Sequence, residues 1–105
     1  MIDFDKLKDE ELSYPGIREV RVLRTTKKSV VYQRGESLLY YSKELFNKTV
    51  KKFNHQQISS RDLKDFDVKY KNKPCHCMFF MLLIHRFYET PISTIKKPYS
   101  LKLDV

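Results

Sequence analysis

Cys75, His76, Cys77 and His85 are the residues whose types could do chemistry in this sequence. Cysteine with histidine points first to zinc. Structural zinc sites, however, draw two ligand pairs from either side of a loop. Here all four candidates fall in one apolar stretch that reads as a single helix, so they point in different directions. That spacing argues against a metal, and no cofactor is expected. A thiol nucleophile would need a base held beside it. His76 adjoins both cysteines, yet on a helix it sits roughly a quarter-turn away. No carboxylate is placed to orient it, and nothing supplies an oxyanion hole. Two thiols packing as small apolar groups is the simpler reading. Asp62, Asp65 and Asp67 stand among lysines and read as solvated helix charges. Arg34-Gly35 lacks the further glycines and the Lys-Ser/Thr end of a phosphate-cradling loop, so Gly35 reads as a bend. No catalytic residue is expected, and the chain reads as a binding module rather than an enzyme.

The remaining chemistry is charge. The chain has 105 residues and a formal net charge of +8. Up to residue 17, Lys6 and Lys8 stand against Asp3, Asp5, Asp9, Glu10 and Glu11, so the rest of the chain carries +11. A basic body this small attracts polyanions at long range: nucleic acid, an anionic membrane surface or an acidic protein segment. The cations fall into three groups. The first is Arg18, Arg21, Arg24, Lys27, Lys28 and Arg34. The second is Lys43, Lys48, Lys51 and Lys52. The third is Lys64, Lys69, Lys71 and Lys73. Many single lysines simply keep a surface soluble. The first group differs because several arginines share one short hairpin, and arginine favours planar contact with carboxylate or phosphate. The first two groups are the candidate partner-binding residues. Alternation along the first strand puts Arg18 and Arg24 on the face of Val20 and Val22, with Arg21 opposite, so one flat patch is not assured.

The elements that must position these residues follow from patterning. Residues 1–17 read as an acidic lead-in with a short helix around Leu7 to Leu12, broken by Tyr14-Pro15-Gly16. Residues 18–105 read as one basic domain. Residues 18–25 alternate until Leu23 and Arg24 break the order. They make a strand, with Thr25 to Lys28 as a turn and Ser29 to Gln33 as a second strand. Leu38, Tyr41, Leu45, Phe46, Thr49, Val50 and Phe53 recur at helical spacing and predict a helix from Glu36 to Phe53. Ser59 and Asp62 open a second helix that reaches Tyr70. Pro74 opens a third, apolar nearly all round from Cys75 to Phe87 and therefore central. Ile92 and Ile95 with the alternating Tyr99 to Val105 predict a C-terminal hairpin. The expected fold is α+β and winged-helix-like, with three helices, a small antiparallel sheet and the hairpin as wing.

The third helix offers mainly Cys, Met, Phe, Leu and Ile, with only His76, His85 and Arg86 able to read bases. Major-groove reading by this helix is therefore disfavoured. The two cysteines, one residue apart, are poorly placed for a disulfide, and no cleavable signal pattern opens the chain. Both point to reducing cytosol or nucleoplasm. The apolar run from Cys77 to Ile84 is too short to span a bilayer.

The stretch Ser29-Val30-Val31-Tyr32-Gln33-Arg34-Gly35-Glu36-Ser37-Leu38-Leu39 resembles one in the Sec-sixty-two translocation protein family. There a strand ends in an aromatic residue and a basic, Gly-containing turn before a helix. Phe79 to Phe87, followed by Tyr88 to Lys97, is similar to a second feature of that family, an apolar helix leading into an extended Lys-containing segment. The resemblance implies the cytosolic N-terminal domain of a protein that assists post-translational import into the endoplasmic reticulum. Membrane spans would then follow outside this sequence. It also implies a partner, the acidic tail of the J-domain translocon subunit. From the residues alone three readings stand. One is a module docking an acidic protein segment, monomeric outside its complex. Another is a nucleic-acid module contacting phosphates, with a nuclear location. The last is a basic subunit of a ribonucleoprotein or transcription assembly.

Overall fold

Three short turns build the N-terminal half, and each rests on a different residue chemistry. The computed structural model describes residues 2–105. Strand β1 (Glu11–Tyr14) turns into β2 (Ile17–Thr25) through Pro15-Gly16, where Gly16 adopts φ +87. Proline followed by glycine at positive φ is the arrangement of a type II turn. Strand β2 turns into β3 (Ser29–Arg34) through Thr26-Lys27-Lys28, which lack glycine and asparagine. The Thr26 hydroxyl substitutes, accepting the Ser29 N–H at 3.0 Å. Strand β3 turns into β4 (Ser37–Ser42) through Gly35-Glu36, with Gly35 at φ +62. Glycine first in a two-residue loop suits a type II′ hairpin, whose twist matches that of the strands.

The result is a four-stranded antiparallel sheet in the order β1-β2-β3-β4. It replaces the expected pair of strands. Residues 37–42, expected on the first helix, are strand β4, and helix α1 is only Lys43–Phe53. The physical switch is Ser42, whose hydroxyl accepts the Leu45 N–H and caps α1, with Glu44 in its first turn. The expected helix around Leu7 to Leu12 is also corrected. A 3-10 turn spans Phe4–Leu7, and β1 follows. The segment from Phe4 to Tyr14 is therefore integrated in the fold. Phe4, Leu7 and Leu12 are buried, and β1 pairs with β2 from Glu11 to Tyr14.

The C-terminal half is mostly helical. After α1, β5 (Gln56–Ser59) forms in what reads as a polar break. Helix α2 (Ser60–Phe66) opens with the Ser59/Asp62 capping box. The expected continuation to Tyr70 is interrupted at Asp67, whose carboxylate accepts the Lys69 N–H and starts α3 (Val68–Asn72). Helix α4 (Cys75–Tyr88) follows, making four α-helices among the described residues rather than three. Strand β6 (Ser100–Leu103) pairs with β5. The expected C-terminal hairpin survives only as one bridge, Ser93 to Ser100.

Helix α4 is the centre of the core, as its composition predicts, with eight buried residues from His76 to Ile84. Neighbouring side chains serve opposite sides. Phe79 stacks on Tyr32 of β3 at 3.8 Å with planes 4° apart. Phe80 meets Phe46 of α1 and Tyr70 of α3. A buried polar chain joins the layers: the Tyr70 hydroxyl lies 2.8 Å from both the Tyr41 hydroxyl and Thr49 Oγ1. No buried side-chain nitrogen or oxygen among the described residues lacks a hydrogen-bond partner. No described helix is long and apolar enough to cross a membrane.

Candidate functional site

The sheet has one face on α4 and one open to solvent. Val22 pairs with Tyr32, and Thr25 with Val30, on the inner face. Arg21 pairs with Gln33, and Arg24 with Val31, on the outer. Simple alternation would have put Arg24 beside Val22, on the inside. A β-bulge at Leu23 prevents this. The register shifts between Val22 and Arg24, so one extra residue is absorbed and Arg24 emerges beside Arg21. The broken alternation at Leu23-Arg24 is thus the imprint of the bulge. A second shift, between Leu12 and Tyr14 on β1, leaves Arg18 and Glu19 of β2 both exposed.

Strand β4 completes the open face with Leu38 and Tyr40, which are 51% and 54% exposed. Two cross-strand rows result. One runs Glu11, Arg21, Gln33, Leu38, and the other Arg24, Val31, Tyr40. Val31 is fully buried although it lies on this face, because Arg24 and Tyr40 flank it and their side chains meet at 3.4 Å. Tyr40 and Leu38 were hidden from sequence reasoning by the helix expected over them. The available signal was Ser42-Lys43-Glu44, a capping serine followed by an acid in a first helical turn.

The ten candidate partner-binding residues separate into distinct places. Arg21 and Arg24 share the open face. Lys27 and Lys28 are exposed at the β2–β3 tip, and Lys43 joins them, its ammonium donating to the Thr26 carbonyl at 2.6 Å. Arg18 lies at the far end of the strands, folded over Gly35. A β-carbon at Gly35 would come within 2.5 Å of the guanidinium. Arg34 shares the parity of Val30 and Tyr32 and so belongs to the inner side. Lys48 is engaged elsewhere, paired to Asp67 at 3.1 Å and set over the Phe66 ring. That pairing and the Lys69 N–H hold the Asp67 carboxyl below its ordinary range, the N–H contributing most, against an opposing effect of burial. Lys51 and Lys52 occupy the last turn of α1, roughly 12 Å along the axis from Lys43.

Two acids of the first 17 residues are also placed. Glu10 pairs with Arg86 of α4, joining the first segment to the central helix. Glu11 lies against Glu19 on the outer face, and their hydrogen bond and like charge raise the Glu19 carboxyl above its ordinary value. The open face is therefore polarised. The Arg24–Tyr40 end adjoins three lysines, and the opposite end mixes both signs.

The Cys/His group serves the interior. His76 Nδ1 lies 2.7 Å from the Tyr32 hydroxyl. Burial, with Lys73 adding to it, lowers the imidazole from 6.5 to about 4, against a backbone hydrogen bond to Tyr40. The Cys77 thiol faces the Ser60 carbonyl at 3.7 Å, and burial pushes it up to about 11, so it stays protonated. His85 Nδ1 lies 2.9 Å from the Thr90 carbonyl. The described residues hold no trio of His, Cys, Asp or Glu placed to bind a metal ion. Comparison with known proteins returns no matching family model, no matching curated protein and no matching solved structure.

Proposed function

We propose that the chain is a non-catalytic interaction module that docks an extended acidic protein segment on the open sheet face. The observation that carries this reading is the bulge at Leu23, which brings Arg24 to the surface beside Arg21, next to Lys27, Lys28 and Lys43. Two guanidiniums on a rigid sheet suit carboxylates held in planar, paired contact. Leu38 and Tyr40 give apolar footholds on the same face, two strands away, which suits a polypeptide better than a sugar–phosphate backbone. The order α1, β5, α2, α3, α4, β6, with Ser93 bridging to β6, resembles that of a winged helix with one helix more, which supports this reading of the scaffold. We read the C-terminal half as that scaffold, with the N-terminal sheet added to present the site. On the resemblance to the Sec-sixty-two family, the docked segment would be the acidic tail of the J-domain translocon subunit, at the cytosolic side of the endoplasmic reticulum.

The test is fluorescence anisotropy with a Glu-rich peptide. Affinity should fall steeply with added salt, as exposed ion pairs are screened. The triple variant Arg21→Glu, Arg24→Glu, Lys28→Glu should lose at least about tenfold in affinity while unfolding at the wild-type midpoint. Undiminished peptide binding by that variant sinks the assignment. A second reading, single-stranded nucleic acid on the same face, draws on the exposed Tyr40 ring beside Arg24. It holds instead if an RNA oligomer binds more tightly than the peptide and Tyr40→Ala weakens it.

A further inference from the structure

A second basic surface lies outside the open sheet face, formed by α2, the start of α4 and the loop before β6. Arg61 and Lys64 stand three residues apart on α2, hence on one side of that helix. With Lys97 they line a groove of about 480 Å³ whose walls include Pro74, Met78, Pro98 and Tyr99. None of these three cations, nor Lys96, has an ion-pair partner among the described residues. The loop is held firmly at both ends. Thr94 Oγ1 donates to the Pro15 carbonyl, and the Tyr99 hydroxyl to the Gly16 carbonyl, each at 3.2 Å. Between these anchors the tip carries Ile95, which is 100% exposed.

We infer that this loop and groove form a docking site for an anionic lipid surface. Ile95 enters the interfacial region, Lys96 and Lys97 sit at the level of the headgroups, and Arg61 and Lys64 face lipid phosphates from the groove. A phosphate polymer would use the cations alone and leave a fully exposed branched aliphatic residue without a role. A lipid surface uses both, since it combines apolar burial with attraction to anionic headgroups. Lysines beside the tip can lay their aliphatic stems along the boundary and keep their ammonium groups in water. The arrangement suits a peripheral contact, because the apolar element is one loop tip and Lys96 and Lys97 follow it directly, with Lys97 lining the groove beside Arg61 and Lys64.

The chain contains no tryptophan, so Ile95→Trp supplies a unique reporter. With vesicles of phosphatidylcholine and phosphatidylserine, its emission should shift to the blue and be quenched by lipids brominated near the headgroup. Pure phosphatidylcholine should give neither effect. In co-sedimentation of the full chain, Lys96→Glu with Lys97→Glu should lower binding to the anionic vesicles at least about tenfold. Arg21→Glu with Arg24→Glu removes the same net charge from the sheet face and should cost much less. Ile95→Ser should lower binding by about three- to tenfold with charge unchanged. An unshifted Trp spectrum overturns the inference, as do equal losses from the two charge-matched pairs. Binding of an RNA oligomer that depends on Lys96 and Lys97, without vesicle binding, reassigns the groove to nucleic acid. These outcomes are independent of peptide docking on the sheet, which rests on different residues.

Discussion

On β3, Tyr32 and Gln33 are neighbours in sequence and belong to different environments. Tyr32 is fully buried, stacked on Phe79 and bonded to His76. Gln33 stands in water between Arg21 and Leu38. The same division runs through β4, where Tyr41 reaches Tyr70 in the core and Tyr40 reaches Arg24 at the surface. The inner face is held by aromatic packing, with each buried side-chain nitrogen and oxygen among the described residues paired. The outer face has few obligations to the fold. A sheet organised this way can vary its recognition chemistry at modest cost to stability, because successive side chains of a strand point to opposite faces.

The strongest challenge to that division is truncation on either side of the sheet. Phe79→Ala should destabilise the protein by about 3–5 kcal/mol, since it leaves a cavity beneath Tyr32. Tyr40→Ala should cost less, about 1 kcal/mol, since it uncovers Val31 but leaves no cavity in the core. Chemical denaturation of both variants measures the contrast, and similar losses would break it. A smaller effect sharpens the account of the inner face. Tyr70→Phe removes a hydroxyl shared by Tyr41 and Thr49 and should cost about 1–3 kcal/mol, because those partners stay buried. Tyr14→Phe, at a half-buried site with no hydroxyl partner among the described residues, is the control and should unfold near the wild-type midpoint.

A separate effect is a pH dependence specific to the inner face. His76 is neutral in the fold down to about 4, whereas an unfolded chain protonates it near 6.5. The unfolded state therefore binds more protons between these values, and stability falls as pH drops from 6.5 toward 4. His76→Gln should flatten that part of the stability profile measured by thermal unfolding. A profile with the same slope would assign the effect to other groups.

The sequence made some of this legible. The central helix was evident because Cys75 to Phe87 is apolar nearly all round, and the Ser59/Asp62 cap was evident from spacing. The β2–β3 hairpin was evident from β-branched residues, although its turn carries threonine where glycine or asparagine is usual. The strand at residues 37–42 was not legible. Leu38, Tyr41 and Leu45 happen to satisfy a helical period, and Ser37-Leu38-Leu39-Tyr40-Tyr41-Ser42 shows no alternation because both faces carry apolar or aromatic residues. Pairing with β3 decides between the two readings, and pairing is non-local. The same holds for the site. Arg21 and Arg24 were picked out by residue type, but their common face depends on a bulge that only the register with Tyr32 and Val31 reveals. Lys48, Lys51 and Lys52 were grouped by sequence proximity, which ignores the partner Asp67 and the length of α1.

The bulge has a consequence at the level of the gene. In an alternating strand, losing one codon rotates every later side chain to the other side. In β2 the residue at Leu23 is supernumerary: Val22 and Arg24 already face inward and outward as consecutive residues should. Deleting Leu23 would close the ladder and keep Val22 in the core and Arg24 in water. Deleting Arg21 would bring Val20 and Val22 together and leave one of them facing solvent. In its pairing with β3, strand β2 thus carries a reading frame with a spare position at Leu23, and length variation on that side of the strand is expected to fall there.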